Sequence, residues 1–103
     1  MLFRSSMDAA HLQMVVNRMA EGDITDCFSV IHDSFGVHAC DTDELHYAIR
    51  DEFVKLYSVS QLEKYRNWVL STLPTAARDG VPPVPKAGDF NIEEVRDADF
   101  FFA

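Results

Sequence analysis

Two short apolar runs joined by a five-residue junction constrain the fold of this chain more than any other feature. Residues 27–31 (CFSVI) precede the junction 32–36 (HDSFG), and residues 37–40 (VHAC) follow it. Their β-branched and aromatic content predicts two short antiparallel strands, over residues 27–31 and 35–40, joined through residues 32–34. Alternation puts Phe28 and Val30 on one face of the first strand and the three other residues of that strand on the opposite face.

The junction contains one carboxylate, Asp33, at the bend between the two strands. Backbone on both sides fixes such a side chain and directs it away from the sheet. Mg²⁺ binds one or two carboxylates and takes its remaining ligands from water and substrate phosphates. Asp33 is therefore a candidate metal ligand of the kind that nucleotidyl-transfer chemistry uses, although one Asp is at most half of a two-metal site. An Asp in a turn is also an ordinary turn residue.

The remaining pattern is helical, so the expected fold class is α+β. A first helix starts with Ser5 as its cap and ends at Gly22. A second starts at Asp41, where Asp41 and Glu44 have capping-box spacing. Its apolar stripe is Leu45, Ala48, Ile49, Phe53 and Leu56, with Arg50, Asp51, Glu52 and Lys55 largely off it. A third opens at Ser60, carries Leu62, Tyr65, Val69 and Leu73 inward, and ends before Pro74.

The C-terminal third departs from this regular pattern. Residues 74–90 hold all four prolines and two of the four glycines, which predicts an extended connector. The tail, residues 91–103, has a short helical turn near 91–95 and ends in three phenylalanines and Ala103. Three adjacent phenylalanines would form an exposed apolar patch unless something covers them. We expect them to insert into the body of a larger protein rather than to fold back on this chain.

Composition and charge narrow the classes of function. The net charge of −8 argues against electrostatic binding of nucleic acid by this chain alone. No apolar run approaches the ~20 residues that span a bilayer. Two cysteines provide no disulfide framework, so we expect Cys27 and Cys40 to be reduced, buried thiols of a cytoplasmic protein. The alternative is a disulfide between them, since they could be cross-strand neighbours.

Three other groups of residues have competing interpretations. His11, on an apolar helix face, is a core residue or a contact to nucleic acid. Arg50 touches nucleic acid or pairs with a Glu. His32, His38 and Cys40 could be drawn as a zinc cluster, but their spacing is not that of a finger or ribbon.

Five ordered segments resemble the C-terminal end of the single-subunit DNA-directed RNA polymerases of bacteriophages and mitochondria. They are residues 6–12 (SMDAAHL), 30–36 (VIHDSFG), 48–57 (AIRDEFVKLY), 83–92 (PVPKAGDFNI) and 99–103 (DFFFA). The resemblance covers nearly the whole chain. Ser34 after the Asp favours the RNA polymerases over related DNA polymerases, whose hairpin usually reads His-Asp-Glu. The family's first metal-binding Asp, its fingers and its thumb have no counterpart here, and Ser5 stands where the family commonly has His.

The resemblance implies that residues 1–103 are the C-terminal part of a polymerase palm domain. Asp33 would be the second catalytic, metal-binding Asp of two, sharing two Mg²⁺ ions with an upstream Asp. His32 and Ser34 would support the active site, and Phe102 and Ala103 would tuck toward it. The implied partners are the remaining polymerase, a DNA template, the RNA product and nucleoside triphosphates, with no membrane, in the cytoplasm of a host cell. The alternative is a free-standing small acidic inhibitor or interaction protein of phage type.

Overall fold

A computed structural model describes residues 2–101, and within the first helix it describes side chains from Ser5 onward. The helices are α1 (Leu2–Glu21), α2 (Thr42–Tyr57) and α3 (Gln61–Thr72), and the strands are β1 (Ser29–Ile31) and β2 (Ser34–Gly36). Short 3-10 turns occupy Ala39–Asp41, Thr75–Gly80 and Ile92–Arg96. The predicted α+β class is confirmed.

The core lies between α1 and α2. Val15 and Met19 of α1 are fully buried and cluster with Leu45, Ala48 and Ile49 of α2. The predicted apolar stripe of α2 is therefore the face that packs on α1. Phe28 and Phe35 of the hairpin region pack against the same cluster, and so does Phe101 of the tail. The hairpin and the C-terminal segment are thus both seated on the α1–α2 pair.

The strands pair antiparallel, with Ser29 opposite Gly36 and Ile31 opposite Ser34. They are shorter than predicted and are joined by two residues, His32 and Asp33, instead of three. The predicted alternation is confirmed in β1, where Val30 is half-buried while its neighbours are exposed. His32 has a φ of 56°, in the left-handed region. A two-residue loop needs a positive φ at its first or at both central positions, which matches the right-handed twist of the strands.

One predicted helix start is wrong, and a second, at Asp41, is confirmed in position but lacks the predicted capping bond. Helix α1 begins at Leu2, so Ser5 lies inside it rather than at its cap. Asp41 precedes α2 but makes no side-chain capping bond, because residues 39–41 form a 3-10 turn that leads directly into the helix. The cap at Ser60 is confirmed, since its hydroxyl accepts a hydrogen bond from the Glu63 amide at 3.3 Å.

Two predictions of burial are also wrong. Arg50 and Glu52, expected off the apolar stripe, are both buried. Glu52 lies in an ion pair with Lys55 at 2.6 Å, and Arg50 binds the C-terminal segment. The expected inward face of α3 is not buried, and no residue of that helix is. Tyr65 and Trp68 stack with ring centroids 5.9 Å apart while more than half of each side chain stays exposed.

The connector is largely irregular, as predicted, apart from the turn at Thr75–Gly80. It is held on α3 by Arg66, whose Nε donates to the Pro82 carbonyl at 2.9 Å. In the tail, the predicted short turn is present at Ile92–Arg96. Phe101 folds back onto this chain's own core, against expectation, whereas Phe100 is 88% exposed. Phe102 and Ala103 lie outside the described residues.

Both cysteines are free, but the prediction that they are buried is wrong. Cys27 and Cys40 are exposed, and both lie outside the paired residues of the hairpin. A hydrogen bond from the Cys27 thiol to the Asp26 carboxylate, 3.4 Å away, together with the charge of Asp26, raises the pKa of Cys27. Within residues 2–101, no helix is both long and apolar enough to cross a bilayer.

Candidate active site

The hairpin loop presents Asp33 at the outer end of the two-stranded sheet. Asp33 is exposed, and no hydrogen bond or ion pair to its carboxylate occurs within the described part of the chain. Strand pairing on both sides fixes the backbone of the loop. An exposed, unpaired carboxylate on a fixed backbone has the access that a metal ligand or substrate contact requires.

Asp33 opens onto a cavity of about 600 Å³ between α1, the hairpin and the C-terminal end of α2. The polar side chains that line it include Asp8, His11, His32 and Tyr57. Phe35 and Phe53 form an apolar part of its wall. A cleft of this size with a few convergent polar groups is typical of a small-molecule site. Apart from Ser5, the lining residues lie in residues 6–12, 30–36 and 48–57, so three of the five segments that carry the sequence resemblance meet in this one cavity.

The electrostatics of the cavity are dominated by acidic groups. Burial raises the pKa of the Tyr57 hydroxyl, and the negative charge of Asp8 raises it further. Both effects disfavour a phenolate, so Tyr57 is a neutral hydrogen-bond donor at neutral pH. Asp8 and Asp33 give the cavity two exposed carboxylates.

The donor set fits part of a Mg²⁺ site. Carboxylate oxygens are the ligands that a hard cation takes. No group of three or more His, Cys, Asp or Glu side chains with metal-binding geometry occurs among the described residues. Within the described residues, Asp33 can therefore provide one ligand to such an ion without completing a site. His32, His38 and Cys40 likewise do not form a group that could hold a zinc ion.

The other predicted site residues fall into two groups. His32 and Ser34 flank Asp33 and are exposed, and His32 lines the cavity. His11 and Arg50 are buried and bind protein groups. The His11 Nε2 lies 2.9 Å from the Ile49 carbonyl, and Arg50 donates to backbone carbonyls of residues 95–98. A contact of either residue with nucleic acid stays a prediction.

The structure adds Asp8 and Tyr57 to the candidate site. The sequence analysis gave neither residue a role beyond its place in the segments 6–12 and 48–57. The available signal was that both belong to segments that resemble the same family as the hairpin. Since these segments are distant along the chain, only their placement in the fold brings them to one cavity.

Comparison with known proteins gives a consistent set of relatives. Residues 3–80 match the family model described as DNA-dependent RNA polymerase. The chain is 36% identical over 100 residues to DNA-directed RNA polymerase 3B, chloroplastic, of Nicotiana tabacum, and 35% identical to DNA-directed RNA polymerase 2, chloroplastic/mitochondrial, of Arabidopsis thaliana. Both alignments cover 97% of this chain. No solved structure matches the chain.

The match covers a small part of each relative. The chain spans 10% of the length of the Nicotiana tabacum 3B enzyme and 29% of DNA-directed RNA polymerase 2A of the same species. It therefore corresponds to one portion of these proteins. A free-standing acidic inhibitor is not favoured, because similarity to polymerases extends over nearly all of the chain.

Proposed function

This chain belongs to the DNA-dependent RNA polymerase family, and we propose that it supplies Asp33 as one of two metal-binding catalytic carboxylates for template-directed RNA synthesis. The observation that carries the proposal is the convergence of three family-like segments on the cavity that Asp33 faces. In this proposal residues 1–103 are the C-terminal part of a palm domain. Within this part, residues 74–90 are the extended connector and residues 91–103 the tail.

The chain's own residues would act by binding and orientation. Asp33 would hold a metal ion at the outer end of the hairpin, and the left-handed conformation of His32 sets the direction of the loop. Tyr57 would donate its hydroxyl hydrogen within the cavity. Asp33 and an upstream Asp would hold two Mg²⁺ ions; the chemistry such ions would supply is a lower pKa of the RNA 3′-hydroxyl and neutralisation of charge on the triphosphate and pyrophosphate. His32, Ser34, Phe102 and Ala103 would support this arrangement.

The proposed partners follow from the share of the relatives that the chain covers. The upstream polymerase portion would provide the second Asp and the basic groove for nucleic acid, which a chain of net charge −8 does not offer. DNA template, RNA product and nucleoside triphosphates would bind the assembled enzyme. A cytoplasmic location stays a prediction; because the named relatives include chloroplastic and mitochondrial enzymes, fractionation of the source cells would test it.

A substitution at Asp33 tests the proposal. The chain would be combined with the upstream portion of a related polymerase, and template-dependent RNA extension would be measured for the unsubstituted chain and for Asp33→Asn. The Asn side chain keeps the volume and removes the charge. We expect extension to fall by about 10²–10⁴-fold, because a carboxylate that stabilises transition-state charge is lost.

Folding serves as the control for this experiment. Asp33 is exposed and without a protein partner in the described residues, so the unfolding free energy of Asp33→Asn should stay within about 0.5 kcal/mol of the unsubstituted chain. Asp89→Asn, in the exposed connector, should leave both stability and extension unchanged. Near-normal extension by Asp33→Asn would end the assignment.

A further inference from the structure

The C-terminal segment is held against α2 by one buried guanidinium group. Arg50 is 4% exposed, and its Nη1 donates to the carbonyls of Val95, at 2.8 Å, and Ala98, with a longer contact to Arg96 at 3.5 Å. Within residues 5–101, no carboxylate pairs with Arg50. A buried guanidinium satisfied by backbone carbonyls depends on the path of that backbone, because each N–H needs a carbonyl in a fixed direction.

This anchoring brings the tail aromatic ring to α2. The guanidinium carbon of Arg50 lies 5.8 Å from the centre of the Phe101 ring. The Phe101 ring in turn meets Phe53 edge-on, with centroids 4.8 Å apart and planes at 74°. Phe53 lines both the Asp33 cavity and a second cavity beside the tail, so it separates the two.

Further edge-on contacts continue from Phe53 to the hairpin. Phe53 meets the His11 ring at 5.5 Å and 88°, and His11 meets Phe35 at 6.2 Å and 77°. Phe35 lies in β2, two residues after Asp33. We name the series Phe101, Phe53, His11 and Phe35 the aromatic chain. Edge-to-face pairs are directional, so a shift of one ring changes the position that its neighbour prefers.

We propose that Arg50 is a positioning residue that anchors the C-terminal segment and, through the aromatic chain, sets the orientation of the hairpin loop that carries Asp33. The significance of this orientation rests on the proposed function of Asp33, whereas the coupling between Arg50 and the loop does not. Arg50 is buried and acts on the loop that carries Asp33 only indirectly, through the four rings of the aromatic chain.

The coupling can be measured on the full 103-residue chain without metal or nucleic acid. Amide chemical shifts and hydrogen exchange would be recorded by NMR for Arg50→Lys, Arg50→Gln and Phe101→Ala. We expect amides of residues 32–36 to shift in the folded state of Arg50→Gln and Phe101→Ala, and their exchange to become about tenfold faster or more. Arg50→Lys keeps the charge with fewer fixed donors, so it should restore part of the unsubstituted chemical shifts.

Arg66→Gln is the matched control, because Arg66 also bonds a backbone carbonyl, that of Pro82, but on the far connector. It should leave the amides of residues 32–36 unchanged. A merely structural role of Arg50 would lower protection evenly across the α1–α2 core without moving the native chemical shifts of the loop. That result, or loop amides that stay in place when the tail amides have lost protection, would overturn the proposal.

Two features keep the test decisive. If Arg50→Gln does not fold, Phe101→Ala still tests the aromatic chain, because it leaves the bonds of Arg50 to Val95 and Ala98 in place. Failure of the proposed function is a separate result. If Asp33→Asn extends RNA normally, Asp33 has no catalytic role. Shifted loop amides in Arg50→Gln and Phe101→Ala would still establish the coupling.

Discussion

Tyr57 reports on the charge of the cavity that Asp33 faces. Burial is the larger cause of its raised pKa, and the Asp8 carboxylate is the second. A raised pKa means that the folded state holds the phenolic proton more tightly than the unfolded state. The resulting stabilisation is complete below the unfolded pKa of tyrosine and is lost as the pH rises through the pKa of the folded state.

Removing the Asp8 charge should lower the pKa of Tyr57. In Asp8→Asn we expect the pKa of Tyr57 to fall but to remain above its usual value, because burial is unchanged. A pH titration of the Tyr57 ring carbon by NMR would measure it, with Asp89→Asn as the control. An unchanged pKa in Asp8→Asn would show that the two groups do not share the cavity electrostatically.

Single residues show where sequence reasoning reaches its limit. The exposure of Asp33 at the bend could be predicted from the short apolar runs around it. The burial of Arg50 could not, because helical periodicity places it on a polar face. The carbonyls that bind Arg50 lie 45 to 48 residues further along the chain, and the sequence around Arg50 gives no sign of them.

At the scale of the elements, the hairpin loop depends on one unusual backbone angle. His32 has a φ of 56°, which glycine adopts freely and a β-branched residue adopts only with strain. The backbone of His32, a non-glycine residue beside the candidate site, therefore carries conformational strain. Such a cost is compatible with a side chain retained for its chemistry.

Substitutions at His32 should separate backbone strain from chemistry. His32→Gly should leave the unfolding free energy unchanged or raise it by up to about 1 kcal/mol, whereas His32→Val should lower it by about 1–2 kcal/mol. Urea denaturation followed by circular dichroism would measure both. A loss in His32→Gly as large as that in His32→Val would mean that the imidazole, and not the backbone, stabilises the loop.

Elements with strong local signals were predictable, and those shaped by tertiary contacts were not. The α2 stripe and the Ser60 cap follow from spacing alone. The buried face expected for α3 was wrong because Tyr65, Leu62 and Val69 recur at helical spacing but find no core to pack on. Helical spacing identifies a face and does not say whether this chain contains the surface that covers it.

The whole molecule is elongated, with extents of 57 × 28 × 23 Å and a radius of gyration of 17.2 Å. A compact domain of 100 residues has a radius of gyration of about 13 Å. The difference reflects α3 and the connector, which bury little, and a core limited to α1, α2, the hairpin and the C-terminal segment. Exposed Trp68 and Phe100 fit a portion of a larger enzyme, whose other parts would cover them.

An ion-pair network joins the distant parts of the core region. Asp51 on α2 pairs with Arg18 of α1 at 2.7 Å and with Arg96 of the C-terminal turn. Since Asp51 is partly buried between two cations, Asp51→Asn should lower the unfolding free energy by about 1–2 kcal/mol. Glu93→Gln, which removes an exposed partner of Arg96, should cost less than about 0.5 kcal/mol. Equal losses in urea denaturation would show that Asp51 does not join the three elements.

The central claim is that the Asp33 carboxylate is a metal ligand, and a change of ligand chemistry tests it most directly. In the polymerase assembled with this chain, RNA extension by Asp33→Cys and Asp33→Ala would be measured with Mg²⁺ and with Mn²⁺. Thiolates favour softer metals than Mg²⁺. We predict that both variants are inactive with Mg²⁺. Replacing Mg²⁺ by Mn²⁺ should raise the extension rate of Asp33→Cys by about tenfold or more and leave that of Asp33→Ala unchanged. Near-normal extension with Mg²⁺ in either variant, or the same response of both variants to Mn²⁺, would contradict the claim.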